Sequence, residues 1–336
     1  RLLESDIGPA SVVMRTEVTS SLVSRIAHAA GVQVVDHLLV GFKYIGDGIR
    51  ALEEEGEFGN ARGTASDFVV GVEESHGVLL TPEIRDKDAA GAALLLAGLA
   101  STQKNANRDL LDTLEELWNT HGRVSNVLLS TVMRGASGRQ MIEAIQHSLR
   151  SEPPTKIMGR SVIEATDHQD PSGIHGPIRS NTDHASRNVL SYRLEGDARL
   201  TVRPSGTEPK TKVYAELVGQ ADESEVALRE RCSALARSFV GDMLQRVGVC
   251  IPSWTLEMSD LMAIEHRLDF SERVLPELLS RIDAKLELSD WLDSALSDYG
   301  RDARDLVAPG VAAWCGDCAN EEHKKALEQL FSLSGI

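Results

Sequence analysis

Aromatic side chains are scarce, at 4 % of 336 residues. That excludes a stacking platform for single-stranded nucleic acid. Positive charge is also short: 35 Lys and Arg against 51 Asp and Glu leave a net charge of −16. A broad basic face for a phosphodiester backbone is thereby excluded. Roughly half of the deficit lies beyond residue 250. No apolar run reaches the ~20 residues that a bilayer span needs. The longest, Ala89–Ala100, is short and follows Arg85-Asp-Lys-Asp88. Four cysteines make no disulfide framework, which points to a reducing, cytoplasmic setting. The chain opens on Arg1 without a signal-peptide pattern, so a fragment of a longer protein is expected. What is present is a 42 % apolar fraction, ample for the cores of two or three domains.

Residues 11–130 alternate in a strand–helix rhythm. Ser11–Met14, Val32–Val35 and Asp67–Val72 read as buried strands. Between them, Thr19-Ser-Ser21 offers hydroxyl caps for a helix on Leu22, Ile26 and Ala29. A glycine-bearing loop, Leu39–Lys43, leads into a second helix through about Glu55, and Gly56–Ser66 reads as a loop. Asp86 or Asp88 caps a small-residue helix, and Leu110, Leu114, Leu117 and Trp118 mark another. This predicts a layered αβα domain with a mixed sheet and helices on both faces. Residues 131–250 predict a small α+β domain. It has a helix on Met141–Leu149, a polar loop over 165–187, and strands at Asn188–Leu194, Leu200–Arg203 and Lys212–Val218. A long helix from Glu223 to about Arg246 closes it. Residues 251–336 predict a helical, acidic extension without catalytic spacing.

The strongest chemical signal is Arg203-Pro-Ser-Gly-Thr-Glu-Pro-Lys210, with Lys212 two further on, between two strands. Ser205 and Thr207 bring hydroxyl donors, and Gly206 lets backbone amides converge. Arg203 supplies a planar, bidentate cation, which together make a nest for an anion such as phosphate. The same residues also fit a plain hairpin turn with a surface arginine. Gly71-Val-Glu-Glu-Ser75 ends a predicted strand, where ligands collect in open α/β sheets. Glu73 and Ser75 suit sugar hydroxyls, and they equally fit a solvated acidic loop. Lys87, ahead of a helix, can hold a phosphate or move a proton, or be a solvated neighbour of capping aspartates. Gly41 permits close backbone approach, while Phe42 and Tyr44 read as core. Cys315-Gly-Asp-Cys318 with His323 has the outline of half a metal site, but no second pair completes four ligands. His168, His175 and His184 read as solvated.

Together these segments resemble the α-D-phosphohexomutase family, the phosphoglucomutase/phosphomannomutase enzymes. The resemblance rests on Thr19-Ser-Ser21, Gly41-Phe-Lys-Tyr-Ile-Gly46, Gly71-Val-Glu-Glu-Ser75, Arg85-Asp-Lys-Asp88 and the Arg203–Lys210 run. Leu149-Arg150, Pro153-Pro154, Ile157 and Gly159 also match the entry to the family's last domain. It covers about residues 10–250, as the third and fourth of four domains, with Arg1–Ala10 as a linker from a preceding one. The family's phosphoserine loop, of Ser-His-Asn-Pro type, and its magnesium loop, of Asp-x-Asp-x-Asp-Arg type, are not found in the sequence.

The resemblance implies reversible phosphoryl transfer between hexose 1-phosphate and hexose 6-phosphate through a bisphosphate. Mg2+ and a glucose 1,6-bisphosphate-type activator would be required, with the metal ligands in the missing N-terminal half. Arg203, Ser205, Gly206, Thr207, Lys210 and Lys212 would grip the distal phosphate. Glu73 and Ser75 would bind sugar hydroxyls, Gly41 and Lys43 would line the sugar loop, and Lys87 would act in acid/base or phosphate contact. No metal ligand is expected in this chain, and neither a nucleic-acid nor a membrane partner. Val40 stands where many members have a sugar-contacting threonine. Tyr214 stands where some have an arginine, so nearby lysines must supply that charge. The Glu-Glu-Ser form resembles phosphoglucomutases more than dual phosphomannomutases, and phosphopentomutases share it. The account requires the Arg203 turn and the Glu73 strand end to face a common cavity. The alternative is a non-catalytic sugar-phosphate sensor built on a mutase half.

Overall fold

The computed structural model describes residues 7–206, 208–220 and 222–333. The chain divides into two compact units. One comprises residues up to Asn126 with Arg179–Arg187 and Glu216–Cys232, and the other comprises Val127–Ile178, Asn188–Ala215 and Ser233 onward.

The first unit is built on β1 (Val12–Thr16), α1 (Leu22–Ala29), β2 (Gln33–Leu38), α2 (Lys43–Glu54), a two-rung hairpin β3 (Glu57–Phe58) and β4 (Ala61–Arg62), β5 (Phe68–Glu73), β6 (Gly77–Leu79), α3 (Ala89–Asn105) and α4 (Leu110–His121). The sheet order is β2-β1-β5-β6. β1 runs parallel to both β2 and β5, and β6 returns antiparallel to β5. The period-2 alternation of strand side chains splits the apolar residues between two cores. Val12, Met14, Val35 and Phe68 pack with Ile45, Ile49 and Leu52, the i, i+4, i+7 stripe of α2. Val13, Val34 and Val69 point the other way, onto Ala27 and Val23 of α1. A mixed sheet with helices on both faces is the result. The apolar helix α3 buries none of its residues, and Leu94 is 77 % exposed.

One local expectation fails here. Gly56–Ser66 is not all loop, because β3 and β4 pair across it. Of the Thr19–Ser21 hydroxyls, Ser20 Oγ accepts from Leu22 N–H, the first of α1, at 3.4 Å. Ser21 makes no side-chain cap, and its backbone N–H donates to the Glu216 carboxylate at 2.8 Å. A buried carboxylate meets the positive end of the helix dipole there, from 195 residues away in sequence. The β1–α1 turn is also held by buried Arg15. It donates to Ser24 Oγ, to the carbonyls of Thr16 and Thr19, and to Asp36.

A six-stranded sheet, in the order β7-β12-β11-β10-β9-β8, organises the rest. Its strands are β7 (Val124–Val132), β8 (Lys156–Ile157), β9 (Arg160–Asp167), β10 (Leu190–Leu194), β11 (Ala198–Pro204) and β12 (Lys210–Val218). The helices are α5 (Gly135–Ser151), α6 (Asn181–Ser186) and α7 (Glu225–Arg246). β10 pairs antiparallel with both β9 and β11. β7 and β9 were not legible as strands. β9 exposes half of its eight residues and buries none, and it is held by its ladder to β10 rather than by an apolar face. The polar loop therefore starts after Asp167, not at 165, and contains α6. His168 is not solvated: it is 3 % exposed, and its Nδ1 lies 2.9 Å from His175 Nε2. His184, on α6, is exposed.

Beyond residue 250 the chain forms α8 (Ile264–Asp269), α9 (Leu275–Asp283), α10 (Ser289–Ala295), α11 (Ala303–Asp317) and α12 (Glu321–Leu330). These helices share a core of their own, with Phe270, Leu278, Leu292, Val311 and Leu327 among its fully covered residues. A parallel bridge, Val132 to Ala263, joins this segment to β7. Cys315 is buried in the last turn of α11, and burial pushes its thiol up to about 11. His323 is engaged by Asp283 at 2.7 Å rather than by the cysteines.

Candidate functional site

In the first unit the site residues meet at the carboxyl end of β5. Glu73 closes that strand, and its side chain is 7 % exposed. Opposite it on β6 stands Gly77. A Cβ on Gly77 would collide with the Glu73 side chain, so the bare backbone gives the carboxylate its place. Sequence reasoning passed over Gly77; its position four residues after Glu73, across a tight turn, was the available signal. Ser75 is exposed in that turn, which His76 closes at φ 59°.

Lys87 donates to Glu73 Oε1 at 3.2 Å. That hydrogen bond holds the Lys87 ammonium above its ordinary value, so at neutral pH it is a cation and a donor. Its Nζ also stands 5.4 Å from the centre of the Phe42 ring, a cation–π distance. Phe42, 4 % exposed, is thus both core and a floor beneath Lys87. The Gly41–Lys43 loop is thereby tied to Glu73 through Lys87. Gly41 has φ 128°, a conformation that side chains rarely adopt. Lys43 opens α2, with Nζ 3.4 Å from Ser186 Oγ. The 85–88 loop is fixed from below. A Cβ at Gly46 would sit 2.8 Å from the Arg85 carbonyl, Arg85 pairs with Glu53, and Asp88 N–H donates to the Val78 carbonyl. Asp88, not Asp86, caps α3, by accepting from Ala90 N–H. Glu74 turns the other way and accepts from Thr16 Oγ1.

In the second unit Arg203 lies near the end of β11, and residues 205–209 connect to β12. Ser205 N–H donates to the Lys210 carbonyl, and Met133 N–H donates to the Pro209 carbonyl. Lys210 Nζ pairs with Glu208 at 2.7 Å and holds that carboxyl below its ordinary range. Among the described residues no hydrogen bond or ion pair occupies the Arg203 guanidinium or the Lys212 ammonium. Gly206 is exposed, and a Cβ there would meet nothing within 4 Å. Its backbone is outside the positive-φ region, so no strained turn demands this glycine. Thr207 lies outside the described residues. Tyr214 is buried at 8 % exposure. Among the described residues no three His, Cys, Asp or Glu side chains are grouped to hold a metal ion. Glu73 is committed to Lys87, so the residues present do not fit a magnesium site.

Residues 1–121 match the family model described as phosphoglucomutase/phosphomannomutase, alpha/beta/alpha domain III. Residues 175–231 match phosphoglucomutase/phosphomannomutase, C-terminal domain. A phosphoglucomutase of Staphylococcus epidermidis is 33 % identical over 220 residues, which is 65 % of this chain and 38 % of that protein. One from Staphylococcus aureus is 31 % identical over 208 residues, 61 % of this chain and 36 % of that protein. The open form of pp63/parafusin (phosphoglucomutase) from Paramecium overlays with a TM-score of 0.47 at 18 % identity, over 71 % of this chain and 39 % of that one. The chain belongs to the phosphohexomutase family through its C-terminal domains. It spans little more than a third of the length of the curated relatives it matches. This family is generally magnesium-dependent.

Proposed function

We propose that this chain is the sugar-phosphate-binding portion of a phosphoglucomutase-like phosphohexomutase. In that reading it serves the interconversion of hexose 1-phosphate and hexose 6-phosphate by phosphoryl transfer through a bisphosphate. Glu73 and Ser75 accept and share hydroxyl hydrogen bonds of the sugar, and the Gly41–Lys43 loop lines it. Lys87, charged beside Glu73, donates to a hydroxyl or phosphate oxygen rather than removing a proton. Arg203, Ser205, Gly206, Thr207, Lys210 and Lys212 grip the phosphate that is not being transferred. Phosphoryl transfer makes few covalent demands on such a half, because its work is to position and to stabilise charge. The reactive phosphoserine and the metal are supplied by the family's other domains, with a sugar bisphosphate as activator. Four cysteines held as thiols fit a reducing compartment, the cytoplasm.

The observation that carries this reading is the arrangement at the end of β5: a nearly covered carboxylate, a lysine bonded to it and a glycine loop tied in through Phe42. A calorimetric titration tests it. Glucose 6-phosphate should bind saturably, and glucose and inorganic phosphate should each bind more weakly. The 336-residue chain should show no mutase turnover with magnesium and bisphosphate present. Equal affinity for glucose 6-phosphate and inorganic phosphate would remove the sugar site from the account, and turnover would remove the half-enzyme reading.

A further inference from the structure

Arg267 is a charge in an unusual place. It is 3 % exposed, yet among the described residues no carboxylate is hydrogen-bonded to it. Taking a guanidinium out of water is costly unless its donors and its charge are both answered. Three of its five N–H groups donate to backbone carbonyls, those of Met262, Thr255 and Ser259. That leaves one N–H on each terminal nitrogen uncommitted to protein. Burial pulls the group down to about 10, still a cation at neutral pH.

Arg267 lines a cavity of about 240 Å3 in the second unit, enclosed by β7, α7 and the 256–260 segment. Its walls are of two kinds. Leu128, Val240 and Leu256 are apolar, whereas Ser130 and Thr131 of β7 are polar residues of the lining. Arg237 also lines it, but Glu257 neutralises that charge through bonds of 2.8 and 2.9 Å. Asp260, on the exposed rim, acts on Arg267 only through space. With Arg237 and Glu257 offsetting each other, one buried cation, one carboxylate on the rim and an apolar wall select against a dianion and for a single negative charge on a short apolar body.

We propose that this cavity is a binding site for a small monocarboxylate, held by the free N–H groups of Arg267 with its aliphatic part against Leu128, Val240 and Leu256. It is separate from the Arg203 loop and does not depend on the mutase reading.

The test is calorimetric titration of the whole chain with butyrate, butyramide and inorganic phosphate at fixed ionic strength. Butyrate should bind saturably and butyramide, its neutral counterpart, should not. Arg267→Gln should weaken butyrate about tenfold or more, the loss of a charged hydrogen-bond pair. No saturable butyrate binding, equal binding of butyramide, or phosphate binding without butyrate would overturn the proposal. So would unchanged affinity in a folded R267Q variant. Because Arg267 also ties three carbonyls, Leu128→Trp serves as a second variant. Leu128 is 43 % exposed at the cavity mouth, so a larger ring there narrows entry without touching the core. Where R267Q loses its native circular dichroism, weakened butyrate binding in L128W supports the site and unchanged binding overturns it.

Discussion

The two stretches of this molecule that carry its family's motifs present their charges in opposite ways. At the end of β5 the charges are already matched: Lys87 is bonded to Glu73, and the carboxylate is almost covered. At the end of β11 they are matched only in part: Lys210 is bonded to Glu208, whereas among the described residues no hydrogen bond or ion pair holds Arg203 or Lys212. A matched pair offers directional acceptors and donors at little net charge, which suits neutral hydroxyls. An unmatched guanidinium lowers its energy by taking an anion. In the proposed function, this contrast is what favours sugar recognition by the first unit and phosphate recognition by the second.

Breaking the unmatched side should have the largest effect. Arg203→Ala should weaken glucose 6-phosphate binding roughly 10- to 150-fold, the range for one hydrogen bond to an ionised group. Its unfolding midpoint should be unchanged, and calorimetry with denaturant unfolding checks both. Breaking the matched side comes next. Glu73→Gln removes the carboxylate and leaves Lys87 with Asp86, at 3.5 Å, as its remaining ion-pair partner, so it should lower glucose 6-phosphate affinity about tenfold while inorganic phosphate binding holds or rises. A fall in phosphate affinity equal to the fall in sugar-phosphate affinity would erase the distinction between the two sites.

A third variant reaches the frame beneath the first site. Asp36 pairs with buried Arg15, and the hydrogen bond of His37 with the Arg15 charge holds its carboxyl well below the usual range. A depressed folded pKa gives stability that is present above about pH 4 and lost as pH falls through the folded value. Asp36→Asn should therefore cost about 1–2 kcal/mol at pH 6, discounted because the carboxylate is 37 % exposed. The gap from the parent chain should narrow toward pH 2.5 in urea titrations. The smallest effect belongs to Gly77→Ala. Its methyl group displaces the Glu73 side chain, so sugar-phosphate affinity should drop about threefold, roughly 0.6 kcal/mol, with phosphate binding untouched.

Much of this was legible in the sequence where local pattern decides structure. The apolar runs around Val13, Val34 and Val69 marked the buried strands, and the glycine-bearing loop Leu39–Lys43 marked the entry to α2. The motif order also placed Glu73, Lys87 and Arg203 at element ends. What was not legible depends on partners distant in sequence. Glu216 caps α1 from 195 residues away, and β9 is a strand because β10 lies beside it. His168 is buried against His175, though both sit in a polar stretch. Gly77 matters through a neighbour across a turn. Arg267 lies in a segment that carries no motif, and only the cavity beside it gives it significance.

The most direct measurement is an amide-shift titration of the labelled chain with glucose 6-phosphate, followed in parallel at the Gly41–Lys43, Glu73–Lys87 and Arg203–Lys212 segments. The account predicts that all three respond with one common dissociation constant, and that inorganic phosphate reproduces the response only at Arg203–Lys212. Shifts confined to the Arg203 segment, or a full response to phosphate alone, would contradict it.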